Sequence, residues 1–92
     1  ILERQQEDIA KRFAGMDGTD RSQRFELGEW SDLTTGAPAL DGALSNFDCI
    51  VEQQVQAGTH SIFIGRIVGA RVAEGAPLVY GDGRFTSLAA AD

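Results

Sequence analysis

A small α+β domain, mainly β with one N-terminal helix, is the fold class this sequence predicts, and three patterns predict it. Apolar residues near the N terminus recur at helical intervals. Between Phe47 and Val72 the pattern changes to alternation with a period of two, and near the C terminus the dipeptide Asp82-Gly83 separates two short strand-like runs. The 92 residues allow one domain at most. A chain this short leaves much of its surface wet, so its core is marginal unless a partner chain or further segment covers it.

From Leu2 to Met16 the residues Leu2, Ile9, Phe13 and Met16 fall at intervals of seven, four and three, which places them on one helix face. Gly15 and Gly18 end the helix, because glycine readily takes the left-handed cap conformation. A start so close to residue 1, with no preceding cap, suggests a domain that has been cut or begins upstream. Asp17 to Gly42 reads as a long irregular connection around the alternating piece Phe25–Trp30. Trp30 there suits covering the edge of a small core, with stacking on a ring-shaped ligand as the alternative.

In the next strand Phe47, Cys49 and Val51 face one way and Asp48, Ile50 and Glu52 the other. Ala57-Gly58-Thr59 is a turn, and His60 opens the strongest strand, Ser61 to Val72. Strict alternation puts Ile62, Ile64, Val68, Ala70 and Val72 on one face, and Phe63, Ile67 and Arg71 on the other. Gly65 and Gly69 on that second face predict a bulge or a close backbone approach. So long a strand in so small a domain suggests a barrel. Glu74 to Pro77 is a turn, Leu78 to Tyr80 a short strand, and Asp82-Gly83 the tight turn from which Arg84 to Leu88 runs back. Ala89 to Asp92 reads as a frayed end.

Fourteen acidic against eight basic residues give a net charge of −6, which repels a phosphate backbone and argues against nucleic acid as a partner. A hydrophobic share of 42% with 24% charged residues argues for a folded domain over a disordered tail. No apolar run is long enough to span a bilayer, and the N terminus lacks the order of a secretory signal. A cytoplasmic protein with no membrane partner is expected. The single Cys49 cannot form an internal disulfide and is expected to be a small buried hydrophobe.

Tests for familiar chemistry mostly fail. Gly81-Asp82-Gly83 follows a strand, but Thr86 stands at the third glycine position of a dinucleotide loop and no helical pattern follows. There is no phosphate-cradling lysine loop, no CxxC and no HExxH, so no metal is expected. His60 is the one histidine, and nothing near it resembles a nucleophile elbow. Read on its own it is either a polar side chain at a strand entrance or a site residue. The acids Glu7, Asp8, Asp17, Asp20, Glu26 and Glu29 are spread as on a solvated surface, and no catalytic residue is assigned.

A resemblance adds to this reading. The chain holds Arg12-Phe-Ala-Gly15, then Pro38-Ala-Leu-Asp-Gly-Ala-Leu44 leading into Phe47-Asp-Cys-Ile-Val51, then Ala57-Gly-Thr-His-Ser-Ile-Phe-Ile-Gly65. It closes on Ala76-Pro-Leu-Val-Tyr80 and Gly83-Arg-Phe85. From about Glu3 to Leu88 this order resembles the second half of flavin reductases of the two-component monooxygenase type, such as the 4-hydroxyphenylacetate 3-monooxygenase reductase component. The resemblance implies that residues 1–92 form one domain unit, the C-terminal half of an FMN-binding split β-barrel. It implies FMN or FAD as flavin, NADH or NADPH as hydride donor, a homodimer and a monooxygenase partner. Gly58, Thr59 and His60 match the nicotinamide-nucleotide segment, and Tyr80, Arg84 and Phe85 match the terminal strand motif that borders flavin or dinucleotide phosphate. Gly81 and Asp82 depart from the family, which commonly has an aromatic or histidine and then arginine there. With the first half not in this sequence, the alternative is a truncated, non-catalytic flavin-binding or dimerisation module.

Overall fold

The computed structural model describes residues 1–88, so the expected frayed end lies outside the described residues. In chain order the elements are helix α1 (Glu7–Phe13), a 3₁₀ segment (Arg21–Glu26), β1 (Trp30–Asp32), β2 (Pro38–Leu40), β3 (Ser45–Ala57), β4 (His60–Val72), β5 (Leu78–Gly81) and β6 (Arg84–Ser87). The strands pair as three antiparallel ribbons, β1 with β2, β3 with β4, and β5 with β6. The architecture is mainly β, as expected.

The helix is shorter than its periodicity suggests. Residues 1–3 are extended and lead into a turn at Arg4 and Gln5, because the backbone of this segment is claimed from both sides. Ile1 N–H donates to the Ser45 carbonyl at 2.8 Å, Leu78 N–H donates to the Leu2 carbonyl at 2.9 Å, and Arg4 N–H donates to the Ala76 carbonyl at 2.9 Å. The segment thus ties the start of β3 to the start of β5. At its other end α1 stops in a Schellman motif, with Met16 N–H on the Lys11 carbonyl, Gly15 N–H on the Arg12 carbonyl, and Gly15 at φ +75°. Met16 therefore lies past the cap and is exposed, whereas Ile9 is buried as its spacing requires.

The core is small. Ile9, Leu40 and Ala43 are buried, with Leu2, Phe13, Leu27 and Trp30 packed against them. Trp30 donates its indole N–H to the Leu27 carbonyl at 3.0 Å, and its ring lies 4.9 Å from Phe25 and 5.6 Å from Phe13. Its role is the edge of the core. Gly28, at φ +87°, closes this core from above: a Cβ there would stand 2.9 Å from Leu40 Cδ1. The connection Asp17–Gly42 is more ordered than its composition suggests. Asp20 and Gln23 form a capping box on the 3₁₀ segment, and β1 and β2 are three residues each, too short to show a period.

The β3–β4 hairpin dominates the molecule. Its two arms are 13 residues each, about 40 Å if flat at about 3.3 Å per residue, in a molecule whose longest extent is 38 Å. The Gln-rich stretch Glu52–Gln56 continues β3 up to the turn. Two bulges interrupt the ladder: Asp48 pairs Gly69 but Cys49 pairs Ile67, leaving Val68 extra, and Val51 pairs Gly65 but Gln53 pairs Ile64, leaving Glu52 extra. The glycines did mark irregular pairing, but strict alternation along β4 fails at Val68. Phe63, Ile67, Ala70 and Val72 share one face with Phe47, Cys49 and Val51, while Ile62, Ile64 and Arg71 lie on the other.

That second face is covered at its base. Arg71 donates to the Leu40 carbonyl at 3.1 Å and to Ser31 Oγ at 3.3 Å, and pairs with Asp41 at 3.3 Å, docking the β1–β2 ribbon. Buried Asp48 clamps the loop between β1 and β2: its carboxylate accepts from Thr35 Oγ1 at 2.6 Å, Thr35 N–H at 2.7 Å and Thr34 N–H at 2.8 Å. Among the described residues nothing comparable covers the first face. Cys49 and Phe47 are therefore exposed, against the expectation of a buried thiol.

Two expectations follow. A Cβ at Gly69 would stand 2.6 Å from Thr34 Oγ1, so Gly69→Ala should destabilise by about 1–3 kcal/mol; Gly81→Ala, with nothing within 4 Å, should be near neutral in the same urea titration. The second concerns acid. The Thr19 hydroxyl and Arg12 hold Asp17 at about 2 instead of 3.8, and the Thr35 hydroxyl and N–H hold Asp48 low as well. Both folded values lie below the unfolded ones, so their stabilisation is present above the ordinary carboxylate pKa and is lost as pH falls from there towards 2. Replacing Asp17 with Asn should flatten the fall in melting temperature over that window.

Candidate functional site

The expected site residues occupy two hairpin turns. Gly58 and Thr59 form the two-residue turn between β3 and β4, and His60 is the first residue of β4, paired with Ala57. Gly58 has φ +60° and Thr59 does not share the positive φ, the pattern of a type II′ turn with glycine in first place. The turn is braced by Gln56, whose amide nitrogen donates to the Gly58 carbonyl at 3.2 Å and whose amide oxygen accepts from Ser61 Oγ at 2.9 Å. Thr59 Oγ1 lies 2.9 Å from His60 Nδ1. The imidazole is exposed and shares its face with Ile62, Ile64 and Val55, which are 52%, 47% and 39% exposed.

The second group sits on β5 and β6. Tyr80 pairs Phe85 across the ladder with ring centroids 4.9 Å apart, edge to face, and Arg84 pairs Gly81 beside the turn. Asp82 and Gly83 both have positive φ, +52° and +73°, as a type I′ turn requires. Phe85 borders a recess of about 320 Å³ with Leu78, Arg4 and Gln5. Among the described residues no hydrogen bond or ring contact joins this group to Gly58, Thr59 and His60. The two halves of the expected site are thus separate within the described structure. Gln56 was missed by sequence reading, because glutamines near a turn carry no signal of their own.

The chemistry on offer at the tip is an apolar strip of Val55, Ile62 and Ile64 that ends in an imidazole able to hydrogen-bond. For a phosphate the described groups are weaker: Arg66 is paired with Glu52 at 2.7 Å, and Asp82 stands two residues from Arg84.

Comparison with known proteins gives the family. Residues 1–89 match the flavin reductase like domain, and the chain belongs to that family. It is 42% identical over 88 residues to FMN reductase (NADH) RutF 2 of Rhizobium rhizogenes, covering 95% of this chain and 50% of that protein. It is 34% identical over 89 residues to the 4-hydroxyphenylacetate 3-monooxygenase reductase component of Pseudomonas aeruginosa, covering 96% and 52%. The solved structure of flavin reductase PheA2 in its native state superposes with a TM-score of 0.85 at 30% identity, covering 98% of this chain and 55% of that one. The chain spans about half the length of these relatives.

The turn makes its own prediction. Gly58→Ala meets no atom within 4 Å but forces a side chain onto φ +60°. The cost should be about 1–3 kcal/mol of backbone strain, read as a lowered urea midpoint.

Proposed function

We propose that this chain is the C-terminal half of an FMN-binding split-barrel domain whose activity is hydride transfer from NADH or NADPH to FMN or FAD. Residues 1–92 count as one domain unit in this reading. The observation that carries it is the Gly58-Thr59-His60 turn, which presents an imidazole at the end of an exposed apolar strip in a chain of the flavin reductase family.

When bound, the flavin supplies the hydride-accepting ring. The chain's own residues position and shield. Gly58, lacking a side chain, lets a nucleotide approach the turn closely. His60 hydrogen-bonds the nicotinamide side, and Val55, Ile62 and Ile64 form a dry bed against which a flat ring lies, so that water does not compete for the reacting face. Tyr80 and Phe85 offer ring edges, and Arg84 a cation, to the flavin or a dinucleotide phosphate.

The apolar exposure on both hairpin faces, Phe63 at 60% and Ile67 at 58% on one and Ile62 at 52% on the other, supports a homodimer in which a second copy helps cover the sheet. A monooxygenase component is the proposed recipient of reduced flavin, supported by the relative described as a monooxygenase reductase component. The cytoplasm is the proposed location, where NAD(P)H is available. No helix among the described residues is long and apolar enough to cross a membrane.

Purified protein supplied with FMN or FAD should oxidise NADH or NADPH in a flavin-dependent way. A folded protein that binds flavin without this activity would favour a non-catalytic flavin-binding or dimerisation module. Replacing His60 with Ala should raise the KM for the nicotinamide nucleotide by roughly 3- to 10-fold, the value of one hydrogen bond, while flavin affinity changes less. Unchanged steady-state kinetics would remove His60 from the nucleotide site.

A further inference from the structure

The contact between Thr59 and His60 carries a more specific inference, one that rests on the nucleotide-site reading above. The two residues adjoin in sequence, and their side chains meet at 2.9 Å between Oγ1 and Nδ1. A neutral imidazole has one N–H and one bare nitrogen, and the partner of one nitrogen decides the state of the other. The threonine hydroxyl rotates freely and can place its proton on Nδ1, which leaves the ring proton on Nε2.

We propose that Thr59 is a positioning residue that fixes the His60 tautomer and ring orientation, so that Nε2–H is the donor presented to an acceptor oxygen of the nicotinamide nucleotide. The frame around the pair is held for this purpose. Gly58 sets the type II′ turn at φ +60°, and Gln56 is engaged at both ends of its amide, on the Gly58 carbonyl and the Ser61 hydroxyl. Thr59 therefore issues from a turn whose backbone is braced on the opposite face of the ribbon. The β-branched side chain of Thr59 is itself restricted at χ1, which limits where its hydroxyl can reach. Beyond His60 the strip continues with Ile62, Val55 and Ile64, and Gln53 stands opposite Ile64, so at the tip end of the strip the imidazole supplies the polar atom.

The test combines a spectroscopic and a kinetic readout. Because the chain has one histidine, ¹⁵N-labelled histidine reports on His60 directly. At alkaline pH, where imidazoles are neutral, the protein should show a protonated-type Nε2 and a bare-type Nδ1. Thr59→Val keeps the β-branched shape and removes the hydroxyl; it should return the ring to a mixture of tautomers and raise the KM for NADH roughly threefold or more, with kcat little changed. Thr59→Ser should restore both signals. A wild-type proton on Nδ1, or a Thr59→Val protein matching wild type in tautomer and KM, would overturn the proposal. A shift in tautomer with no change in KM for NADH or NADPH would uphold the orienting contact and overturn its role towards the nucleotide, locating the error in the site reading.

Discussion

Twelve cross-strand pairs between β3 and β4 form the ladder on which the rest of this chain hangs. At its base the ladder meets its neighbours: Ser45 receives Ile1, Asp48 clamps the loop between β1 and β2, and Arg71 reaches the Leu40 carbonyl and Asp41. Beyond that base it projects with both faces open. The buried core of Ile9, Leu40 and Ala43 lies at the foot of the hairpin, so the hairpin's far end is held by its backbone pairing and by polar contacts such as Gln56 with Ser61.

This asymmetry connects the fold to the proposed function. A turn carried out on a long two-stranded arm places Gly58, Thr59 and His60 away from the small core, where a large planar ligand and a covering chain can both reach them. The two bulges matter here. The extra residue at Glu52 and the extra residue at Val68 each shift the alternation, so the tip shows Val55, Ile62 and Ile64 beside His60, while Phe63 and Ile67 lie on the other face. Without the bulge in β4, Arg71 at the base would share a face with Phe63, and the docking of β1–β2 would fall on the opposite side from the His60 strip.

Much of this was legible in the sequence where local chemistry decides the outcome. Gly58 and Asp82-Gly83 announce their turns because few residues adopt positive φ, and the apolar alternation announces β3 and β4. The family and the position of Gly58, Thr59 and His60 followed from their order along the chain. What was not legible depends on contacts distant in sequence. The extended path of residues 1–3 is set by Ser45 and by residues 76–78, so a helical pattern from Leu2 overstated α1. Cys49 sits in an alternating strand but is exposed, because alternation tells which residues share a face and not whether that face is covered. The slip at Val68 needs the partner strand's register to be seen, and the Thr59–His60 contact needs side-chain positions.

The central claim is that the tip of the β3–β4 hairpin is the nucleotide side of a flavin reductase site. Hydrogen–deuterium exchange of the protein with FMN, with and without NADH, tests it most directly, because it locates the ligand without assuming any residue's role. The account predicts added protection over residues 55–64 when NADH is present. Protection confined to the loop between β1 and β2 or to residues 78–87, with residues 55–64 unchanged, would contradict it.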